Sequence, residues 1–192
     1  LVLLTVGCVF VYSASFYSAQ ITYGNKFFFL KKQLFGIIVG LIFFVFFSFF
    51  DYHKLGKVKT IFLIVSYILL ALVFVPGIGL TNYGATRWIN LRVLTFQPSE
   101  IAKLAFIVFS ASVLSKRSEN VKSFKGILPV LIAGVLYCAL IIMEPNMSIT
   151  ICMASLMVVM LFLGGARAKH FLLMIVPALA VVVLLIMVEP YR

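Results

Sequence analysis

Apolar residues run along this chain in long blocks separated by short polar stretches. A helix rises about 1.5 Å per residue and needs about 20 residues to cross about 30 Å of hydrocarbon. Seven blocks predict such helices: Leu1–Ala14, Phe28–Phe50, Thr60–Val75, Pro98–Leu114, Ile127–Met143, Asn146–Leu163 and His170–Val188. Several are slightly short, so their flanks contribute. Little more than Glu144-Pro145 separates the fifth from the sixth, which predicts a tight hairpin with Pro145 ending the helix before it. The pattern is that of an all-α polytopic transmembrane helix bundle, read as one integral membrane domain over residues 1–192.

Composition agrees. Of 192 residues, 64% are hydrophobic and 11% charged, against about a quarter charged in soluble domains. Mean hydropathy is +1.21. The net charge of +11 comes from Lys and Arg scattered between apolar blocks. That placement fits the orientation of helices in a membrane and gives no patch for nucleic acid. Cys8, Cys138 and Cys152 fall inside apolar blocks without metal-ligand spacing, and His53 and His170 are isolated, so no metal site is read. The chain opens in mid-block and stops just after one, which reads as part of a longer protein.

The polar stretches alternate between two sides. Lys54, Lys57, Lys59, Lys116, Arg117, Lys122, Lys125, Arg167 and Lys169 fall on one side, nine in all against seven on the other. The first side is therefore assigned to the cytoplasm. Glu100, Glu144 and Glu189 sit at helix ends on the outer side, each near a proline. Such a set suggests a shared outer polar pocket, although proline at a helix end and a hydrated Glu account for any one of them.

The stretch "GATRWINLRVLTFQPSEIAK" (84–103) holds most of the outer polar groups. Pro76, Gly77, Gly79 and Gly84 exclude a helix before it, so residues 75–96 read as a long outer loop. Trp88 suits headgroup depth and Arg87 suits a phosphate, although a lone Trp is more often an interface anchor. Pro98 opens the next helix, and Glu100 in its first turn complements the helix dipole. Lys103, three residues on, shares its face and can pair with it. Lys103 can also simply snorkel to the surface. Arg87, Arg92 and Lys103 together make a cationic cup suited to a lipid phosphate or diphosphate.

These motifs, with "VYSAS" (11–15), "VPGIG" (75–79), "MEPNMSIT" (143–150), "LFLGGARAKHF" (161–171) and "EPYR" (189–192), resemble in order those of the SEDS family of FtsW, RodA and SpoVE proteins. "VYSAS" looks like the end of the family's first helix, and "VPGIG" is closer to FtsW and SpoVE than to RodA. The resemblance implies an FtsW-like peptidoglycan glycosyltransferase of about ten helices in the bacterial cell membrane, active on its extracytoplasmic face. It implies the polymerisation of lipid II, which is linked to undecaprenyl pyrophosphate. It further implies a class B penicillin-binding protein and other divisome proteins as partners, and a divalent cation. The implied catalytic Asp lies in a large outer loop beyond Arg192, so no catalytic residue is assigned in this chain. Substrate binding is assigned to Arg87, Trp88, Arg92, Glu100, Lys103, Glu144 and Asn146. Asn146 stands where the family pattern carries Asp, keeping hydrogen bonds and losing charge. Two other readings remain at this stage: a transporter of lipid II, and a non-catalytic divisome scaffold. The nearly uncharged helix middles weigh against the transporter.

Overall fold

The structure, a computed structural model, describes residues 2–82, 85–90, 95–116, 120–167 and 170–171. Arg92, Glu189 and most of the expected seventh helix lie outside them. The described elements are α1 (Val2–Tyr23), α2 (Phe28–Phe49), α3 (His53–Leu72), β1 (Gly79–Asn82), β2 (Ala85–Asn90), β3 (Thr95–Phe96), α4 (Pro98–Lys116), α5 (Phe124–Met143) and α6 (Met147–Leu163), with a short 3-10 turn at Asn120–Lys122. Helices α1 to α5 are long and apolar enough to cross a membrane, and α6 is a shorter apolar helix. The architecture is that of a polytopic helical membrane protein.

The chain divides into two compact units, Leu1–Tyr52 and His53–Arg192. In the first, α1 and α2 form a hairpin. Helix α1 does not stop at Ala14, as "VYSAS" suggested, but continues to Tyr23. The serines that resembled a helix end are accommodated within it. The Ser15 hydroxyl donates to the Val11 carbonyl, and Ser18, beyond that motif, donates to the Ser15 carbonyl. The helix ends at Gly24, whose φ of +66° is the left-handed conformation that closes many helices. Asn25 then accepts from the Phe27 N–H at 2.9 Å, and Tyr23 stacks on Phe28 with centroids 3.9 Å apart.

In the second unit, α3 to α6 pack around a core that includes Leu70, Phe106, Val130, Tyr137, Met153 and Leu161. Gly134 lets α5 approach Met157 of α6 and Phe106 of α4 closely enough that a Cβ would collide with the Met157 sulfur. Small residues serve this purpose between membrane helices. Tyr137 bonds Ser66 of α3 and stacks on Tyr67 with centroids 4.2 Å apart, while the Tyr67 hydroxyl donates to the Ala133 carbonyl at 2.8 Å. A polar knot thus ties α3 to α5 inside an apolar bundle. Outward residues such as Ile132, Val135 and Phe162 stay exposed, as lipid-facing positions should.

The expected outer loop between α3 and α4 is instead a small antiparallel sheet in the order β1-β2-β3. Glycine and proline exclude a helix there, as read, but they do not exclude short strands.

Candidate functional site

The sheet fixes Arg87. Pairing runs Gly79 with Ile89 and Leu80 with Trp88, then shifts to Thr81 with Thr86 and Asn82 with Ala85. Arg87 is therefore the extra residue of a β-bulge. A bulge re-aims a side chain that the regular ladder would constrain. Ile89 is buried and Trp88 is 38% exposed, so the strand still presents an inner and an outer face. Gly79 is required where β1 begins, because a Cβ there would collide with the Val73 carbonyl and the Thr86 methyl.

From the bulge, Arg87 reaches the turn between α5 and α6. Its Nε donates to the Glu144 carbonyl at 3.3 Å, and Nη2 donates to the Pro145 carbonyl. One edge of the guanidinium thus clamps the turn. Among the described residues, Nη1 and the second Nη2 proton meet no acceptor. Around this turn the Glu144 N–H returns to the Ile141 carbonyl at 3.2 Å, and the Asn146 N–H reaches the same oxygen at 3.3 Å. The Asn146 carbonyl accepts from both the main-chain N–H and the hydroxyl of Thr150.

The side chains of this turn are unusual. Glu144 is 1% exposed and Asn146 is 4% exposed. Both Glu144 carboxyl oxygens and Asn146 Nδ2 lack a hydrogen-bond partner among the described residues. The clamping guanidinium meets main-chain carbonyls and leaves the carboxylate alone. Burial pushes the Glu144 carboxyl up to about 7, and the Arg87 charge offsets part of that rise. Glu144 is thus no hydrated interface carboxylate. Asn146 stands at the start of α6 without using its side chain as a cap.

A second group lies at the start of α4. Pro98 is its first residue, as expected, and the Lys103 ammonium is 2.9 Å from a Glu100 carboxylate oxygen. Glu100 is more than half exposed and Lys103 is mostly covered. Ser99, in the same turn, is buried with an unpartnered hydroxyl. Its sequence context does not distinguish it from an ordinary helix-start serine.

The expected site residues thus fall into two described groups, Arg87 with Glu144 and Asn146, and Glu100 with Lys103. Trp88 adjoins the first along β2. Both groups belong to elements at the same end of the second unit. No hydrogen bond or ion pair joins them among the described residues. No three His, Cys, Asp or Glu side chains converge among the described residues.

The family profile FTSW_RODA_SPOVE, described as cell cycle protein, matches residues 1–192. The chain belongs to the FtsW/RodA/SpoVE family. As a member, it is 35% identical over 195 residues to stage V sporulation protein E of Bacillus subtilis strain 168, covering 100% of this chain and 53% of that protein. It is 36% identical over 192 residues to the probable peptidoglycan glycosyltransferase FtsW of Geobacter sp. strain M18, covering 100% and 52%. The chain spans about half the length of these curated relatives. Among solved structures, the rod shape determining protein RodA of Thermus thermophilus superposes with a TM-score of 0.66 at 26% identity, over 92% of this chain and 58% of that one. A chain from a peptidoglycan synthase complex, studied for its coordination of polymerization and crosslinking, has the same fold. Its TM-score is 0.72 at 24% identity, over 97% of this chain and 59% of its own.

Proposed function

We propose that this FtsW/RodA/SpoVE-family chain is part of a peptidoglycan glycosyltransferase that polymerises lipid II into glycan strands during cell division, on the extracytoplasmic face of the cell membrane. The observation that carries this reading is the bulged Arg87, anchored along one edge and left with N–H groups for an anionic ligand. The kinship with a protein named as a probable peptidoglycan glycosyltransferase supports the reaction class.

In this reading, the free edge of Arg87 and the Lys103 ammonium meet the donor's diphosphate, and Arg92, assigned from the sequence, adds a third positive charge. Glu100 holds Lys103 in place at the head of α4. Negative charge gathers on the departing diphosphate as the glycosidic bond forms. Fixed cations in a partly dry site stabilise that charge without reorganising. The acceptor hydroxyl loses its proton to a base outside this chain. The divalent cation that the kinship implies would offset negative charge on the departing diphosphate. A class B penicillin-binding protein partners the polymerase, and other divisome proteins recruit it. The complex that coordinates polymerization and crosslinking, which shares the fold, supports that pairing.

The test uses the full-length protein, purified with its penicillin-binding partner and given lipid II. Strand formation falls at least about tenfold on Lys103→Ala, the scale of one lost charge-assisted hydrogen bond. Arg87→Lys keeps the charge but cannot span two carbonyls, and loses a similar amount. Normal strand yield from both variants refutes the diphosphate assignment. Movement of lipid II between leaflets without polymer indicates transport, and partner binding with neither activity indicates a scaffold.

A further inference from the structure

Three buried polar atoms at the α5–α6 turn have no hydrogen-bond partner among the described residues: both Glu144 carboxyl oxygens and Asn146 Nδ2. Such an atom is costly when it has no partner, and folded proteins rarely leave one orphaned. Here they lie two residues apart on one turn, held by the Arg87 clamp and the Thr150 bonds. The turn therefore presents hydrogen-bond acceptors and a donor side by side.

That combination selects among ligands. A phosphate offers only acceptors and would meet the Glu144 oxygens unfavourably. A metal cation would use Glu144 and has no use for an amide N–H. A secondary amide carries one N–H and one carbonyl, and it pairs with one Glu144 oxygen and with Asn146 Nδ2 at once. We infer that Glu144 and Asn146 form a subsite for the acetamido group of an N-acetylated sugar, the N–H donating to the Glu144 carboxyl and the carbonyl accepting from Asn146 Nδ2. The inference rests on the lipid-linked saccharide proposed above and deepens it. The diphosphate lies with the cations, and the sugar is read at the turn that Arg87 shapes. Because these atoms are closed to solvent, the acetamido group reaches them by displacing what covers the turn.

The experiment measures binding to the full-length protein, with its penicillin-binding partner, in lipid nanodiscs. Three probes are compared: lipid II, lipid II with its acetamido groups hydrolysed to free amines, and undecaprenyl pyrophosphate without sugar. The wild type is expected to bind lipid II at least about tenfold more tightly than the deacetylated probe, the scale of a pair of buried hydrogen bonds. Asn146→Ala removes that preference and leaves undecaprenyl pyrophosphate affinity within about twofold. Glu144→Gln keeps the shape and one acceptor, and loses less than Glu144→Met. Thermal unfolding of each variant, read alongside, separates loss of fold from loss of contact.

Equal binding of the two lipid II probes by the wild type overturns the inference and leaves the proposed polymerase standing. So does an Asn146→Ala defect shared by all three probes in a folded protein. Loss on Glu144→Gln as complete as on Glu144→Met shows that charge is what matters, and overturns it in favour of a cation. Failure of the wild type to bind lipid II at all overturns both this inference and the function on which it rests.

Discussion

The buried Glu144 carboxyl makes stability depend on pH in a direction opposite to the usual acid. Its pKa rises from an ordinary 4.5 to about 7, chiefly through burial. The folded protein therefore holds this proton more tightly than the unfolded chain. The contribution is complete below about pH 4.5, shrinks as pH rises, and is gone once pH passes about 7. At about 1.36 kcal/mol for each pH unit, the whole effect is on the order of 3 kcal/mol. For a chain of a few hundred residues that corresponds to roughly 5–10 °C in midpoint. Glu144→Gln keeps the size of the side chain and cannot ionise. Thermal unfolding of the full-length protein, followed at several pH values between 5 and 8, should show the wild type losing midpoint relative to this variant as pH rises. Arg87→Ala should widen the loss, because the guanidinium offsets part of the shift. Parallel curves for the wild type and Glu144→Gln would refute the reasoning. A wild type that gains on the variant with rising pH would mean a carboxylate stabilised by an ion pair.

Two further outcomes test the surrounding scaffold. Gly79→Ala has no room beside the Val73 carbonyl, so it should cost about 1–3 kcal/mol in stability and release Arg87 from the turn, seen as faster proteolysis within the sheet. Tyr137→Phe removes the hydroxyl that bonds Ser66 across α3 and α5. It should cost about 0.6 kcal/mol and at most about 1.7 by the precedent of interhelical bonds in membranes, and a larger loss in thermal unfolding would indicate that the whole polar knot acts as a unit.

The helices were legible because lipid leaves a chain few options. A run of apolar residues long enough to span it must be helical. Pro98 and Pro145 marked helix ends that the structure keeps almost to the residue. Where the reading failed, local polarity misled it. Ser15, at the end of "VYSAS", looked like part of a helix end, yet its hydroxyl bonds back to the Val11 carbonyl of the same helix. The sheet was hidden because its strands are short and its pairing depends on a bulge, which no period in the sequence announces. The pairing of Glu100 with Lys103 followed from their spacing. The grip of Arg87 on Glu144 and Pro145 joins residues more than fifty positions apart, and only tertiary structure brings them together. The burial of Glu144 was likewise beyond reach, since a glutamate at a helix end reads as hydrated until something is seen to cover it.

The two halves of the β1–β2 ladder count their partners differently on either side of Arg87. Deleting the one residue between Thr86 and Trp88, which is Arg87 itself, would restore a regular hairpin. The hairpin would be tidier and the clamp would be gone. In this segment a single-codon deletion is therefore a more searching change than most substitutions, and chain length itself becomes part of the chemistry.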